Sequence, residues 1–123
     1  MSDLNAQLAG AQSNSVWPVI ATQTHATATA TQGAPSVKGS QHFVTGWTFS
    51  YSGGTPAVGT IQLLDGATVI DQIEIPALTI GPIICEYVKG YLITKGDACS
   101  LTCGDLGSGI KVTLVLRGRT IAG

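Results

Sequence analysis

Two apolar stretches, Thr60-Ile61-Gln62-Leu63-Leu64 and Ala67-Thr68-Val69-Ile70, are separated only by Asp65-Gly66. Asp-Gly between such stretches is a preferred hairpin turn, because both central positions require positive φ. The segment therefore predicts an antiparallel strand pair. Its period-two alternation recurs along the chain. Ile73 and Ile75 alternate with Gln72 and Glu74 until Pro76 ends the pairing. The last stretch places Ile110, Val112, Leu114 and Leu116 on one side and Lys111, Thr113 and Arg117 on the other. Pro82–Val88, Tyr91–Thr94 and Ala98–Cys103 read as further strands, bounded by Lys95-Gly96-Asp97 and Gly104-Asp105-Leu106-Gly107. The pattern predicts seven or eight short strands between residues 41 and 123 and no sustained helix. The fold class is all-β, an antiparallel β-sandwich, with Ile61, Leu63, Val69, Ile73, Ile75, Val112, Leu114 and Leu116 facing inward.

Near residue 37 the composition changes. From Leu4 to Val37 there is no charged residue, and the stretch is rich in Ala, Thr, Gln and Ser. Its bulky residues cluster in Val16-Trp17-Pro18-Val19-Ile20. Ala26-Thr27-Ala28-Thr29-Ala30-Thr31 alternates strictly, which puts Ala on one face of an extended chain and Thr on the other. The expectation is an extended N-terminal arm, residues 1–36, followed by a sandwich domain, residues 37–123. Fully extended, such an arm reaches about 120 Å. It is expected to pack on a neighbouring subunit rather than on its own domain. Val16, Trp17, Pro18, Val19 and Ile20 would be its anchor, and the Ala/Thr run would add as a strand to an exposed sheet edge.

The chain's 123 residues make one domain. Hydrophobic residues are 44% and charged residues 11%, against about 25% charged in typical soluble domains. A net charge of -1 gives no electrostatic case for nucleic acid or an anionic membrane. No apolar run approaches the ~20 residues of a membrane-spanning helix. Met1-Ser2-Asp3-Leu4 carries an acid where a secretory leader has bases, so the expected site of synthesis is the cytoplasm.

Signals of chemistry are few. Cys85, Cys99 and Cys103 are odd in number and not at zinc-ligand spacing, which predicts no metal site and at least two buried thiols. On one strand, Cys99 and Cys103 would sit ~13 Å apart, too far to bond. His25 reads as a polar arm residue and His42 as an edge residue. Asp65 and Asp97 sit in turns, where Asp is favoured for backbone reasons. The sequence thus predicts no catalytic residue, no cofactor and no small-molecule substrate. Phe43, Trp47, Phe49 and Tyr51 fall on alternate positions of one strand. Two readings of this aromatic row stand: sandwich core, or a platform on which sugar rings stack.

Several segments together resemble a known family. They are Trp47-x-Phe49-x-Tyr51-Ser52-Gly53-Gly54, Gly59-x-Ile61-x-Leu63-x-Asp65-Gly66, Ile73-x-Ile75, Gly81-Pro82-Ile83-Ile84 and Val112-x-Leu114-x-Leu116. Over about residues 41–120 the chain resembles the small β-sandwich virion proteins of tailed bacteriophages, above all capsid decoration (cement) proteins. The resemblance implies a jelly-roll subunit on the outer surface of a phage head, made in the host cytoplasm. It also implies the major capsid protein as partner, self-association as a homotrimer, and stabilisation of the shell. The alternative function is a receptor- or carbohydrate-binding sandwich of a phage fibre or tail.

Overall fold

The computed structural model describes residues 14–77 and 81–122. Eight strands carry most of it: β1 (Asn14–Thr24), β2 (Ala28–Gln32), β3 (Gln41–Ser52), β4 (Gly59–Asp65), β5 (Thr68–Ile75), β6 (Ile83–Leu92), β7 (Cys99–Cys103) and β8 (Lys111–Ile121). They form two four-stranded sheets, β1–β8–β3–β6 and β2–β7–β4–β5. Every neighbouring pair is antiparallel. The first strand pairs with the eighth, the second with the seventh, the third with the sixth and the fourth with the fifth. This nested pairing is one long ribbon folded across itself, the strand order of a jelly roll. The expected all-β antiparallel sandwich is therefore present.

The expected free arm is not present between residues 14 and 32. β1 pairs with β8 along its whole length, from Asn14 opposite Ile121 to Thr24 opposite Lys111. β2 pairs with β7, with Ala28 opposite Cys103 and Ala30 opposite Leu101. Ala28 and Ala30 are buried, while Thr29 and Thr31 are exposed. The Ala/Thr run does add to a sheet edge with its Ala face inward, but the edge belongs to its own chain. Trp17 is only 8% exposed and lies in the core. The physical reason is local. An uncharged segment with bulky apolar groups loses little by leaving water, and the nearest unpaired edges are those of its own sheets. The boundary at residues 36/37 is thus a loop between β2 and β3 inside one sandwich, not the edge of a domain. The eight strands are reached by counting β1 and β2; residues 41–122 supply six. The rest of the expected arm, residues 1–13, lies outside the described residues.

The core fills the space between the sheets with Trp47, Phe49, Ile61, Leu63, Ile75, Leu101, Leu114 and Leu116, all essentially inaccessible. Each such side chain contributes about 1.5–3 kcal/mol by leaving water. Trp47 and Phe49 are therefore core residues, as the first reading of the aromatic row has it. Phe43 is not. The register of β3 slips between Val44 and Gly46. A slip of one residue exchanges the two faces of a strand. His42 and Val44 face inward before it, Trp47 and Phe49 after it. His42, expected at an edge, is consequently buried.

β6 contains the larger irregularity. Val44 pairs with Tyr91, yet Gly46 pairs with Glu86. Residues 87–90 thus bulge out opposite Thr45, within a single strand where two were expected. Gly90 permits this with φ at 69°, and a Cβ there would overlap the Phe43 ring. The rings of Tyr87 and Tyr91 meet edge to face at 4.7 Å on either side of the bulge.

The hairpin between β4 and β5 forms one residue later than the Asp-Gly signal suggests. Asp65 pairs with Thr68, leaving Gly66 and Ala67 as the turn. Gly66 has φ at 59°, and Ala67 is not among the positive-φ residues, the pattern of a type II′ turn. Asp65 stays on the strand, where its Oδ2 accepts hydrogen bonds from the Thr94 amide (3.0 Å) and hydroxyl (2.8 Å). A second slip between Leu63 and Leu64 turns Val69 outward, to 43% exposure. Val69 was expected in the core; Ile70 packs against it instead, and Ile73 is half-buried.

Candidate functional site

Among the described residues, no three His, Cys, Asp or Glu side chains come together in a way that would hold a metal ion. The titratable groups that do meet are tied into the fold. His25, at φ 53°, turns the corner between β1 and β2. Its Nδ1 lies 3.0 Å from Asp105 Oδ2, and both side chains are exposed. The Gly107 amide, and then His25, hold the Asp105 carboxyl below its ordinary range. The contact clips the β1–β2 corner to the β7–β8 loop. The buried His42 uses both ring nitrogens: Nε2 donates to the Gly33 carbonyl (2.7 Å) and Nδ1 meets Thr120 Oγ1 (2.8 Å). Trp17 Nε1 donates to the same Thr120 oxygen at 3.0 Å. A cavity of about 340 Å³ opens beside this group, lined by neutral residues that include Gln32, Pro35, Val37 and Ser40.

At the opposite flank, Trp47 Nε1 donates to the Tyr87 hydroxyl (2.8 Å), which donates to Asp71 Oδ2 (2.6 Å). This chain links β6 of one sheet to β5 of the other. Burial, and then Asp71, push the Tyr87 hydroxyl well above its usual pKa, so it stays a donor. Cys99 and Cys103 are buried thiols pushed up to about 12 and about 11 by desolvation. Burial also raises the half-buried Cys85. Thiols held in this way are poor nucleophiles.

The surface itself carries a stronger feature. Large exposed apolar residues are Val16, Ile20, Val37, Val58, Val69, Ile84, Val88 and Leu92. Val16 and Ile20 lie on β1, and Ile84, Val88 and Leu92 on β6, the two edge strands of the β1–β8–β3–β6 sheet. The registers align this face into cross-strand rows. One row runs Val16, Arg119, Phe43, Leu92, and another runs Ile20, Val115, Thr48, Ile84. Between them lies Pro18, Arg117, Gly46, Glu86. Arg117 reaches across Gly46 to donate to Thr48 Oγ1 (2.7 Å) and to meet Glu86 at 3.7 Å. The Arg119 guanidinium sits 4.6 Å from the centre of the Phe43 ring. The bulge holds Val88 fully clear of the surface, at 102% exposure.

The sequence-derived anchor therefore divides. Trp17 faces the interior and Val19 is half-buried, whereas Val16, Pro18 and Ile20 lie on the outer face. Sequence reasoning missed Ile84, Val88 and Leu92 as surface residues. The signal that could have found Val88 is Lys89-Gly90 behind it, a charge and a glycine interrupting an apolar strand.

No protein-family model matches the chain, and no curated protein matches its sequence.

Proposed function

We propose that this protein is a structural virion component, a decoration protein that binds the outer surface of a phage capsid and stabilises it. The observation that carries the reading is the outer face of the β1–β8–β3–β6 sheet, where Val16, Ile20, Ile84, Val88 and Leu92 stand in water. Two edge strands concentrate most of the large exposed apolar groups on one side of a small domain, which is how protein–protein contact surfaces are marked. A shell-bound protein meets many copies of the same neighbours, so modest contacts of this kind add up. The low charge supports the same reading, because copies crowded on a lattice repel each other little. The major capsid protein and further copies of this chain are the proposed partners, and the virion surface is the proposed location.

The carbohydrate-binding alternative loses its main support with the aromatic row, since Trp47 and Phe49 offer no surface to a sugar. The test is direct. Capsids lacking the protein are mixed with the purified chain, sedimented, and heated until they release their contents. Cosedimentation at saturating stoichiometry with a raised release temperature is the expected result. No binding to such shells rejects the reading.

A further inference from the structure

The outer face of the β1–β8–β3–β6 sheet matches itself. We infer that it pairs two copies of the chain face to face, about a two-fold axis that runs parallel to the strands between β8 and β3. This rests on the reading of that face as an assembly surface, and it gives the face to a second copy, so that the pair would meet the shell through its remaining surfaces. The registers alone fix what such an axis brings together. It superposes β1 of one copy on β6 of the other, and β8 on β3, row against like row. In one row Val16 faces Leu92 of the second copy, and Arg119 faces Phe43 of the second copy. In another, Ile20 faces Ile84 and Val115 faces Thr48.

The middle row is the one that could forbid the contact, and it does not. Each Arg117 is already neutralised by its own Glu86 across Gly46, which has no side chain to obstruct the approach. In that row two self-contained ion pairs therefore meet at the centre. Arg119 comes in stacked on one Phe43 and meets the other, an arrangement a cation tolerates well. The bulge adds a knob. Val88 stands between the Leu92 and Glu86 positions of β6, so it enters the notch between Val16 and Pro18 of the second copy. Gly90 under Phe43, and the Tyr87–Tyr91 contact, fix that knob before binding, which lowers the cost of ordering it on contact.

The size suits the task. Four strands at ~4.8 Å spacing, and 11 residues at ~3.4 Å each, give a face of about 700 Å² in projection. A stable interface takes about 800 Å² from each side.

The experiment uses the full chain. Sedimentation velocity over a concentration series is run on the wild type, on Val88→Asp and Ile84→Asp, and on Thr29→Asp as a control on the other sheet. Near-ultraviolet circular dichroism checks that each is folded. The expected result is a dimer, weakened at least ~30-fold by either face substitution and unchanged by the control. The register is tested separately. Ile20→Cys/Ile84→Cys should yield a covalent dimer on mild oxidation, and Ile20→Cys/Leu92→Cys should not. A wild type that sediments as a monomer or a trimer overturns the inference, as does crosslinking of the second pair only. Binding to capsids that lack this chain is measured on the same samples. A monomer whose capsid binding is lost in Val88→Asp overturns the pairing, gives the face to the shell protein and leaves the proposed function standing. A dimer that does not bind capsids upholds the pairing and removes the proposed function.

Discussion

On the outer face of the β2–β7–β4–β5 sheet, side chains use their polar groups on one another. Thr29 meets Thr102 and Thr31 meets Ser100, each at 3.1 Å. Gln62 Nε2 donates to Gln72 Oε1 at 2.8 Å, and Thr60 donates to Glu74 at 3.1 Å. On the outer face of the β1–β8–β3–β6 sheet, Val16, Ile20, Ile84 and Leu92 surround a shorter polar set, Arg117 with Glu86 and Thr48 and the Thr22–Thr113 contact. Both sheets have four antiparallel strands and both bury their inner faces. One fold thus carries two outer faces of opposite character. Cross-strand hydroxyl and amide ladders close one face to further partners, while apolar rows on the other gain only when something covers them.

The largest effect is expected from Trp17→Ala, which removes a buried ring and its hydrogen bond to Thr120. We expect a loss of about 3–5 kcal/mol in urea unfolding, and deletion of residues 1–24 should prevent folding. A stable fold after that deletion would show that the first strand is dispensable. Next is Gly66→Val, expected to cost more than ~1 kcal/mol by the same measurement, because the turn holds φ at 59° and a branched side chain is strained there.

A smaller effect is expected from alkaline pH. The Cys99 and Cys103 pKa values lie near 12 and 11 in the folded chain, against 9.0 without burial. Between pH 9 and 11 the unfolded chain loses thiol protons that the folded chain keeps. Stability should therefore fall as pH rises through this window, and Cys99→Ala/Cys103→Ala should flatten the slope of melting temperature against pH. The smallest change in stability, within about 0.5 kcal/mol, is expected for Val88→Asp and for Thr29→Val. Their readouts differ. Val88→Asp should lose association, and Thr29→Val combined with Thr102→Val should lower solubility by making the polar face resemble the apolar one.

Much of the fold was legible because alternation is a direct imprint of a half-buried strand. β8 shows it throughout, and the β4–β5 hairpin announces its turn to within one residue. What was not legible came from two sources. Bulges exchange faces without changing composition, so Phe43 and Val69 looked like core and His42 looked peripheral. The glycines at 46 and 90 hint at the slip that moves Phe43 and His42, and no glycine marks the one between Leu63 and Leu64. The second source is pairing across the whole chain. Val16–Ile20 showed that something must cover them, but not that β8, about a hundred residues later, would cover Trp17 and leave Val16 and Ile20 bare. The face that makes the candidate site was hidden for the same reason. Its rows draw one residue from each of four strands distant in sequence.

The nested pairing also orders events in time. As the chain is synthesised, β1 and β3 appear early, yet the strand that lies between them, β8, is the last to emerge. The same holds for β2 and β4, which wait for β7. Neither sheet can be completed before its late strand, β7 or β8, has been made, and the bare rows of β1 and β6 share one plane only after β8 has slotted in. Such long-range closure belongs to the slow end of single-domain folding, milliseconds to seconds. That outer face therefore forms only once β8 is in place, so a chain that stops short of β8 cannot present its rows together.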